Sequence, residues 1–291
     1  MIDKPGGVTS FDVVRRARRC LQVRKIGHLG TLDPFATGLL PLCLGEATKL
    51  VPFLMGQPKA YRATLRLGVA TDTQDLTGQE LARCEALPAP AEIVGVAGRF
   101  VGELSQVPPM YSAVHYQGER LYQLARRGQV VDPAPRPVTV YELQVEEVAG
   151  PEVTIYVRCS QGTYIRTLAA DLGAALGCGA HLTALRRLAV GSFRVGEALP
   201  LATLEATAIQ EVSKQIIPLR DCLPGWRQVA VGPPEAGKLR QGQPIVWAGG
   251  DLSPGQEVAV GTAAELVAVA RVEYGNSGTV LAPARVFISE Q

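Results

Sequence analysis

Histidine, tryptophan and methionine are scarce in this chain, with three, two and three copies, and aromatic residues make up 5% of the total. His28, His115 and His181 stand at no metal-ligand spacing with cysteine, so neither a structural zinc nor a catalytic metal is expected, and no motif calls for a cofactor. The six cysteines, Cys20, Cys43, Cys84, Cys159, Cys178 and Cys222, include no CxxC pair. The start of the chain carries no charged-apolar-small leader pattern, and together these features predict reduced thiols in the cytoplasm. Proline, glycine and charge interrupt every apolar run before it reaches bilayer length, so no membrane partner is expected. There is no internal repeat and no low-complexity tract. Net charge is only +2, so affinity for a polyanion would have to come from local patches.

What is present is enough for a sizeable core and about two domains: 291 residues, 47% of them hydrophobic. Acids outnumber bases after Gln228, so positive charge sits in the larger N-terminal part. Phe11 to Leu21 reads as a basic amphipathic helix with Phe11, Val14, Ala17 and Leu21 on its apolar stripe. Tyr61 to Gly68, Val138 to Val148 and Val153 to Cys159 read as strands, and Ala91 to Gly98 as a helix after a Pro/Ala loop. Strands joined by hairpin-length turns and interleaved with helices predict an α+β fold with a mixed, largely antiparallel sheet flanked by helices. Leu219 to Gly232 has the composition of a linker. Beyond it, Gln243 to Trp247, Glu257 to Val260 and Leu266 to Val272 suggest a small all-β domain.

The segment Gly27 to Gly38, GHLGTLDPFATG, sets the carboxylate of Asp33 among glycines and apolar residues. Such a carboxylate is either a helix cap or a reagent. As a cap, Asp33 would precede Pro34 at the first helical position, with Phe35 to Leu44 continuing as a short apolar segment. As a reagent, it keeps suitable company: His28 is close by, and Arg15, Arg16, Arg18, Arg19, Arg24 and Lys25 precede it with no acid between. In CSQGTYIRTLAADLG, Cys159 to Gly173, an apolar stripe from Ile165 to Leu176 predicts a helix starting near Thr163, with Arg166 off the stripe. An arginine in a first helical turn opposes the helix dipole unless an anion compensates it, and its fork suits a carboxylate or phosphate. Pro108 to Ala113 and Gly118 to Gly128, with Arg126 and Arg127, mix aromatics and bases in a way compatible with RNA.

Together, DKPGGVTS, GHLGTLDPFATGLLPLCLGEATK, KAYRATLRLGVATDTQDLTG, PPMYSAVHYQGERLY, RPVTVYEL, CSQGTYIRTLAADLG and GCGAHLTALRRLAVGSF resemble the bacterial tRNA pseudouridine synthase B family, in order, over nearly all of residues 1 to 200. The resemblance implies the pseudouridine synthase fold over residues 1–222, with a tRNA-gripping insertion at about 112–137, and a PUA-like RNA-binding domain over 226–291. It implies isomerisation of the T-loop uridine at conventional position 55 of tRNA, after base flipping, by a stand-alone monomer with no guide RNA. It makes Asp33 the nucleophile, Arg166 its salt-bridge partner, Tyr61 the tyrosine that stacks on the target base and moves protons, Tyr164 and Leu185 pocket residues, and His28 a support for the flipped-out loop. Arg15, Arg16, Arg18, Arg19, Arg24, Lys25, Arg126 and Arg127 would meet the RNA backbone. The chain departs from the family at Leu29, where threonine or glycine is common, and at Gln161, where lysine is common. The rival readings are a non-catalytic tRNA-binding or folding factor and a guide-RNA-dependent relative; a glycoside hydrolase lacks a second carboxylate at suitable spacing.

Overall fold

A computed structural model describes residues 1–275 and 278–288. By its contacts the chain divides into two compact units. One comprises Met1–Arg15, Leu29–Pro41 and Met55–Thr203, the other Arg16–His28, Leu42–Leu54 and Leu204–Gln291.

The first unit is built on a nine-stranded mixed sheet. Its order is Leu199–Pro200, Ile2–Lys4, Thr37–Leu40, Ala180–Val190, Lys59–Leu67, Glu152–Cys159, Arg136–Ala149 and Gly102–Gln106, with Phe193–Arg194 paired to the end of Ala180–Val190. Two pairings are parallel, Ile2–Lys4 with Leu199–Pro200 and Ala180–Val190 with Thr37–Leu40; the rest are antiparallel. Alternation sets the two faces. Tyr61, Ala63, Leu65 and Leu67 point into the core with Val153, Ile155 and Val157, while Arg62 and Arg66 between them pair with Glu146 and Glu152. Helices Pro90–Gly98 and Ile165–Ala175 cover the apolar face through Ile93, Val96, Ile165, Leu168 and Leu172. The expected helices and strands therefore form, and the α+β class with them.

The cap reading of Asp33 is overturned. No helix follows Pro34. Thr37–Leu40 is instead a short, almost wholly buried central strand between Ile2–Lys4 and Ala180–Val190, and a four-residue apolar run carries no period by which to tell strand from helix. The parallel pairing sets Arg186 beside Thr37 and Arg187 beside Gly38. Gly38 has φ of +101°, and a Cβ there would stand 2.3 Å from the Arg187 carbonyl oxygen. Both conformation and space demand glycine. Gly38→Ala is expected to lower the thermal midpoint by at least about 2–4 °C, the shift that ~1 kcal/mol gives in a unit of this size; an unchanged midpoint would show that the two strands can part without cost.

Helix Ser10–Leu21 forms as expected, but its buried stripe is Val13, Val14, Ala17 and Leu21. Phe11, expected on that stripe, is 63% exposed. Val13 takes its place beside Val14, Ala17 and Leu21.

In the second unit, Gln228–Ala230, Glu257–Gly261, Leu266–Gly275, Gly278–Val286 and Ile245–Val246 form a five-stranded sheet in that order. Helix Pro233–Arg240 packs Ala236 and Leu239 against its valines. The linker expectation for Leu219 to Gly232 is corrected here. Leu219–Cys222 is a 3₁₀ turn, and Gln228–Ala230 pairs in parallel with Ala259–Gly261. Pro233-Pro234, directly after that segment, starts a helix, where proline loses no hydrogen bond. Among the described residues no helix is long and apolar enough to span a membrane.

Candidate active site

Asp33 lies in a stretch, Gly30 to Ala36, with no helix or strand of its own, so its backbone polar groups must be satisfied from outside. Four groups do this. The Lys4 ammonium, wholly buried, donates to the carbonyls of Pro5 (2.9 Å), Pro34 (3.2 Å) and Ala36 (2.6 Å). The Leu32 N–H donates to Ser10 Oγ at 2.9 Å, and that hydroxyl lies 3.2 Å from the Leu32 carbonyl. The Gly7 N–H donates to the Pro34 carbonyl at 2.8 Å. The Arg187 guanidinium donates to the carbonyls of Gly30 (3.0 Å) and Leu39 (2.7 Å). Burial pulls the Lys4 pKa down to about 8, against the attraction of Asp33.

Arg166 enters from the first turn of helix Ile165–Ala175. That turn is held by Gln106, whose side chain accepts from the Tyr164 N–H at 3.0 Å and donates to the Tyr164 carbonyl at 3.3 Å. Arg166 is 5% exposed, and its guanidinium spans two carboxylates. Nε lies 3.0 Å from Asp33 Oδ2 and Nη2 3.4 Å from Oδ1, a side-on fork. Nη1 faces Asp75 Oδ2 at 3.5 Å and the Thr73 carbonyl at 3.4 Å, while Nη2 also donates to the Tyr111 carbonyl at 2.8 Å. Asp75 is itself fixed in a turn: its Oδ1 accepts from the Thr73 hydroxyl (2.7 Å), the Thr77 hydroxyl (2.5 Å) and the Thr77 N–H (2.9 Å). The two acids thus supply the compensation that an arginine at a helix N-terminus requires.

The Asp33 side chain is 32% exposed while its partner is buried, so one side of the carboxylate stays open. Its pKa lies above the ordinary aspartate value. Burial is the largest cause, and Asp75 adds to it; Arg166 and Lys4 act the other way. Asp75→Asn removes the repulsion and leaves Arg166 wholly to Asp33, so the acid limb of any Asp33-dependent activity should move to lower pH. An upward move would show that Asp75 acts chiefly by holding Arg166 in place.

Tyr61 is buried on strand Lys59–Leu67 in one apolar cluster with Leu32, Ala36, Ile165 and Leu185. Burial pushes its phenol pKa up, Arg187 pulls it down, and the charge of Asp33 also reaches it. Tyr164 caps the Arg166 helix. His28 stands on Ile26–His28, opposite Leu42 in the second unit. Among the expected backbone-binding residues, Arg15 pairs with Asp12 (2.8 Å), Arg16 with Glu205 (3.5 Å) and Arg127 with Glu119, while Arg126 lies over the Tyr122 ring at 5.5 Å. Arg18 and Arg19 are exposed on helix Ser10–Leu21, and Arg24 and Lys25 follow it.

Sequence reasoning passed over Lys4, Asp75, Gln106 and Arg187. A signal existed for Asp75, since Thr-x-Asp-x-Thr-Gly is the pattern of a carboxylate bound into its own turn. Lys4 and Arg187 reach backbone carbonyls from distant parts of the chain, which no local pattern reveals.

The Arg166 guanidinium is thus held between two acids, one of which, Asp33, is partly open to solvent. The model of the TruB family pseudouridylate synthase N-terminal domain matches residues 18–165, and that of the tRNA pseudouridylate synthase B C-terminal domain matches 166–225. The chain belongs to the TruB family. Its relatives there include the tRNA pseudouridine synthase B of Burkholderia pseudomallei (strain 668), 44% identical over 294 residues, 99% of this chain and 96% of the relative. That of Dechloromonas aromatica (strain RCB) is 46% identical over 245 residues, 84% of this chain and 82% of the relative. Solved structures similar to this TruB-family fold include an H/ACA RNP bound to a substrate RNA containing 2′-deoxyuridine (TM-score 0.76, 25% identity). A Cbf5–Nop10–Gar1 complex is similar too (TM-score 0.74, 28% identity), and each match covers 99% of this chain and 84% of the other.

Proposed function

We propose that this chain converts the T-loop uridine at conventional position 55 of tRNA to pseudouridine, with Asp33 as the nucleophile. The observation that carries the reading is the side-on Asp33–Arg166 pair at 3.0 Å, with Asp33 still 32% exposed. Isomerisation breaks the N1–C1′ bond and forms a C5–C1′ bond; the C5 proton leaves and N1 gains one. Attack by the carboxylate on ribose or base, or assisted cleavage through a glycal, all need Asp33 ionised, and Arg166 and Lys4 favour that form against burial. Tyr61 stacks on the extruded base and moves protons, Leu185 and Tyr164 line the uracil pocket, and His28 holds the flipped-out loop.

Residues 1–222 make up the catalytic domain in this reading, and 226–291 a PUA-like RNA-binding domain. The hairpin His115–Tyr116 and Glu119–Arg120 with helix Leu121–Arg126 is the segment that grips the tRNA arm directly, so a cytoplasmic monomer works without a guide RNA. tRNA labelled with tritium at uracil C5 is expected to release one equivalent of label on incubation with the purified chain alone. Tight binding with no release would favour a tRNA-binding or folding factor, or a need for a guide. Replacing Arg15, Arg16, Arg18 and Arg19 with glutamine should weaken binding. It should also flatten the dependence on salt, by about 0.7–0.9 in log–log slope for each phosphate that is no longer neutralised. An unchanged slope would place the patch on a merely solvated face.

A further inference from the structure

Among the described residues Arg187 is the largest fully buried side chain, at 1% exposure, and it makes no salt bridge among them. A buried guanidinium whose charge meets carbonyls rather than an anion is costly, so its retention asks for a reason. Two of its donors go to the two ends of one segment: Nη2 to the Gly30 carbonyl at 3.0 Å and Nε to the Leu39 carbonyl at 2.7 Å. Asp33 lies between those ends. The Arg187 backbone presses on Gly38, where no Cβ fits, and a Cβ at Gly30 would stand 3.4 Å from Arg187 Nη1. Across the sheet, Arg187 is the register partner of Tyr61, and it lies two residues beyond Leu185 on the same strand. Register shifts at Leu182/Ala184 and Arg187/Ala189 bracket this stretch, the kind of irregularity that re-aims side chains beside a reacting centre.

We infer that Arg187 is a positioning residue, whose planar fork ties both ends of the Asp33 segment together and fixes them against Tyr61. It acts through those residues and not on the substrate. The inference rests on the reading of Asp33 and Tyr61 given above and adds a member that the reading lacks. Lysine cannot replace it, since one ammonium on a flexible stem cannot present two fixed donors to carbonyls on opposite sides. The charge has a second effect. Arg187 is the leading influence that draws the Tyr61 phenol pKa down against burial, so a variant without the cation should titrate Tyr61 at higher pH.

The test compares wild type, Arg187→Lys and Arg187→Gln by single-turnover pseudouridine formation, tRNA affinity, thermal midpoint and the pH–rate profile. Misplacing a reacting group by about 1 Å costs ~100-fold, so both variants are expected to lose about that much in rate while tRNA affinity stays within about threefold. Glutamine, which removes the cation, should also move the alkaline limb upward, whereas lysine, which keeps it, should not. If Arg187→Lys does not fold, the glutamine variant still reports both rate and alkaline limb. Rates within about threefold of wild type, or a loss matched by an equal loss of tRNA affinity, would overturn the inference. Absence of product from wild type itself would instead overturn the reading on which it rests.

Discussion

Asp33→Asn is expected to abolish pseudouridine formation, leave tRNA binding within a few-fold of wild type, and keep or raise the thermal midpoint at neutral pH. The amide keeps the shape of the carboxylate and loses its charge, so the fit to RNA survives and the chemistry does not. The stability outcome follows from linkage. The folded-state pKa of Asp33 is raised, so the ionised group opposes folding at every pH above that value, and the opposition fades as pH falls. Below the unfolded-state value of 3.8 the group is neutral in both states, and the advantage of the amide should vanish. A variant that lost binding and stability together would make Asp33 a structural residue. Parallel measurement of single-turnover rate, tRNA affinity and melting from pH 3 to 8 separates the two.

Arg166→Met should be nearly as damaging by a different route. It leaves Asp33 and Asp75 facing one another without the cation that lies 3.0 Å from one and 3.5 Å from the other. Stranding two acids without their cation destabilises by up to ~3–5 kcal/mol where both are buried, and by less here because Asp33 is 32% exposed, so the thermal midpoint should fall and the rate at neutral pH with it. Arg166 lowers the Asp33 pKa, and burial and Asp75 raise it; without Arg166 the acid limb of the pH–rate profile must move upward. Arg166→Lys keeps the charge but not the fork, and its acid limb should fall between wild type and Arg166→Met. Near-normal turnover in Arg166→Met, or an acid limb that stays in place, would detach the arginine from the function of Asp33.

Much of this architecture could be read from residue patterns. The alternation in YRATLRLG gives a strand with Tyr61 inward and arginines outward, and the stripe from Ile165 leaves Arg166 to find an anion, as it does. Pattern failed where tertiary interactions decide. LDPFATGLL carries a cap signal followed by apolar residues, yet Lys4 and Arg187 supply its carbonyls with donors, so the segment needs no helix to satisfy them. Phe11 shares a helical period with Val14, but Val13 took its place in the core. The linker reading of Leu219 to Gly232 missed a strand within it and a helix directly after it, which Pro233-Pro234 begins, since proline stops a helix from within and starts one from its end. The second acid, Asp75, was hidden for a simpler reason: its turn pattern is local, and only the fold brings it to Arg166, 91 residues away by sequence number.

The central claim is that Asp33, held ionised by Arg166, isomerises one uridine in the T-loop. Its most direct test is to incubate the purified chain with unmodified tRNA, with no guide RNA present and Asp33→Asn in parallel, and to map pseudouridine at single-nucleotide resolution. The account predicts product at the T-loop uridine alone, and none with the variant. Product at that position with Asp33→Asn, or none with wild type despite tight tRNA binding, would contradict it.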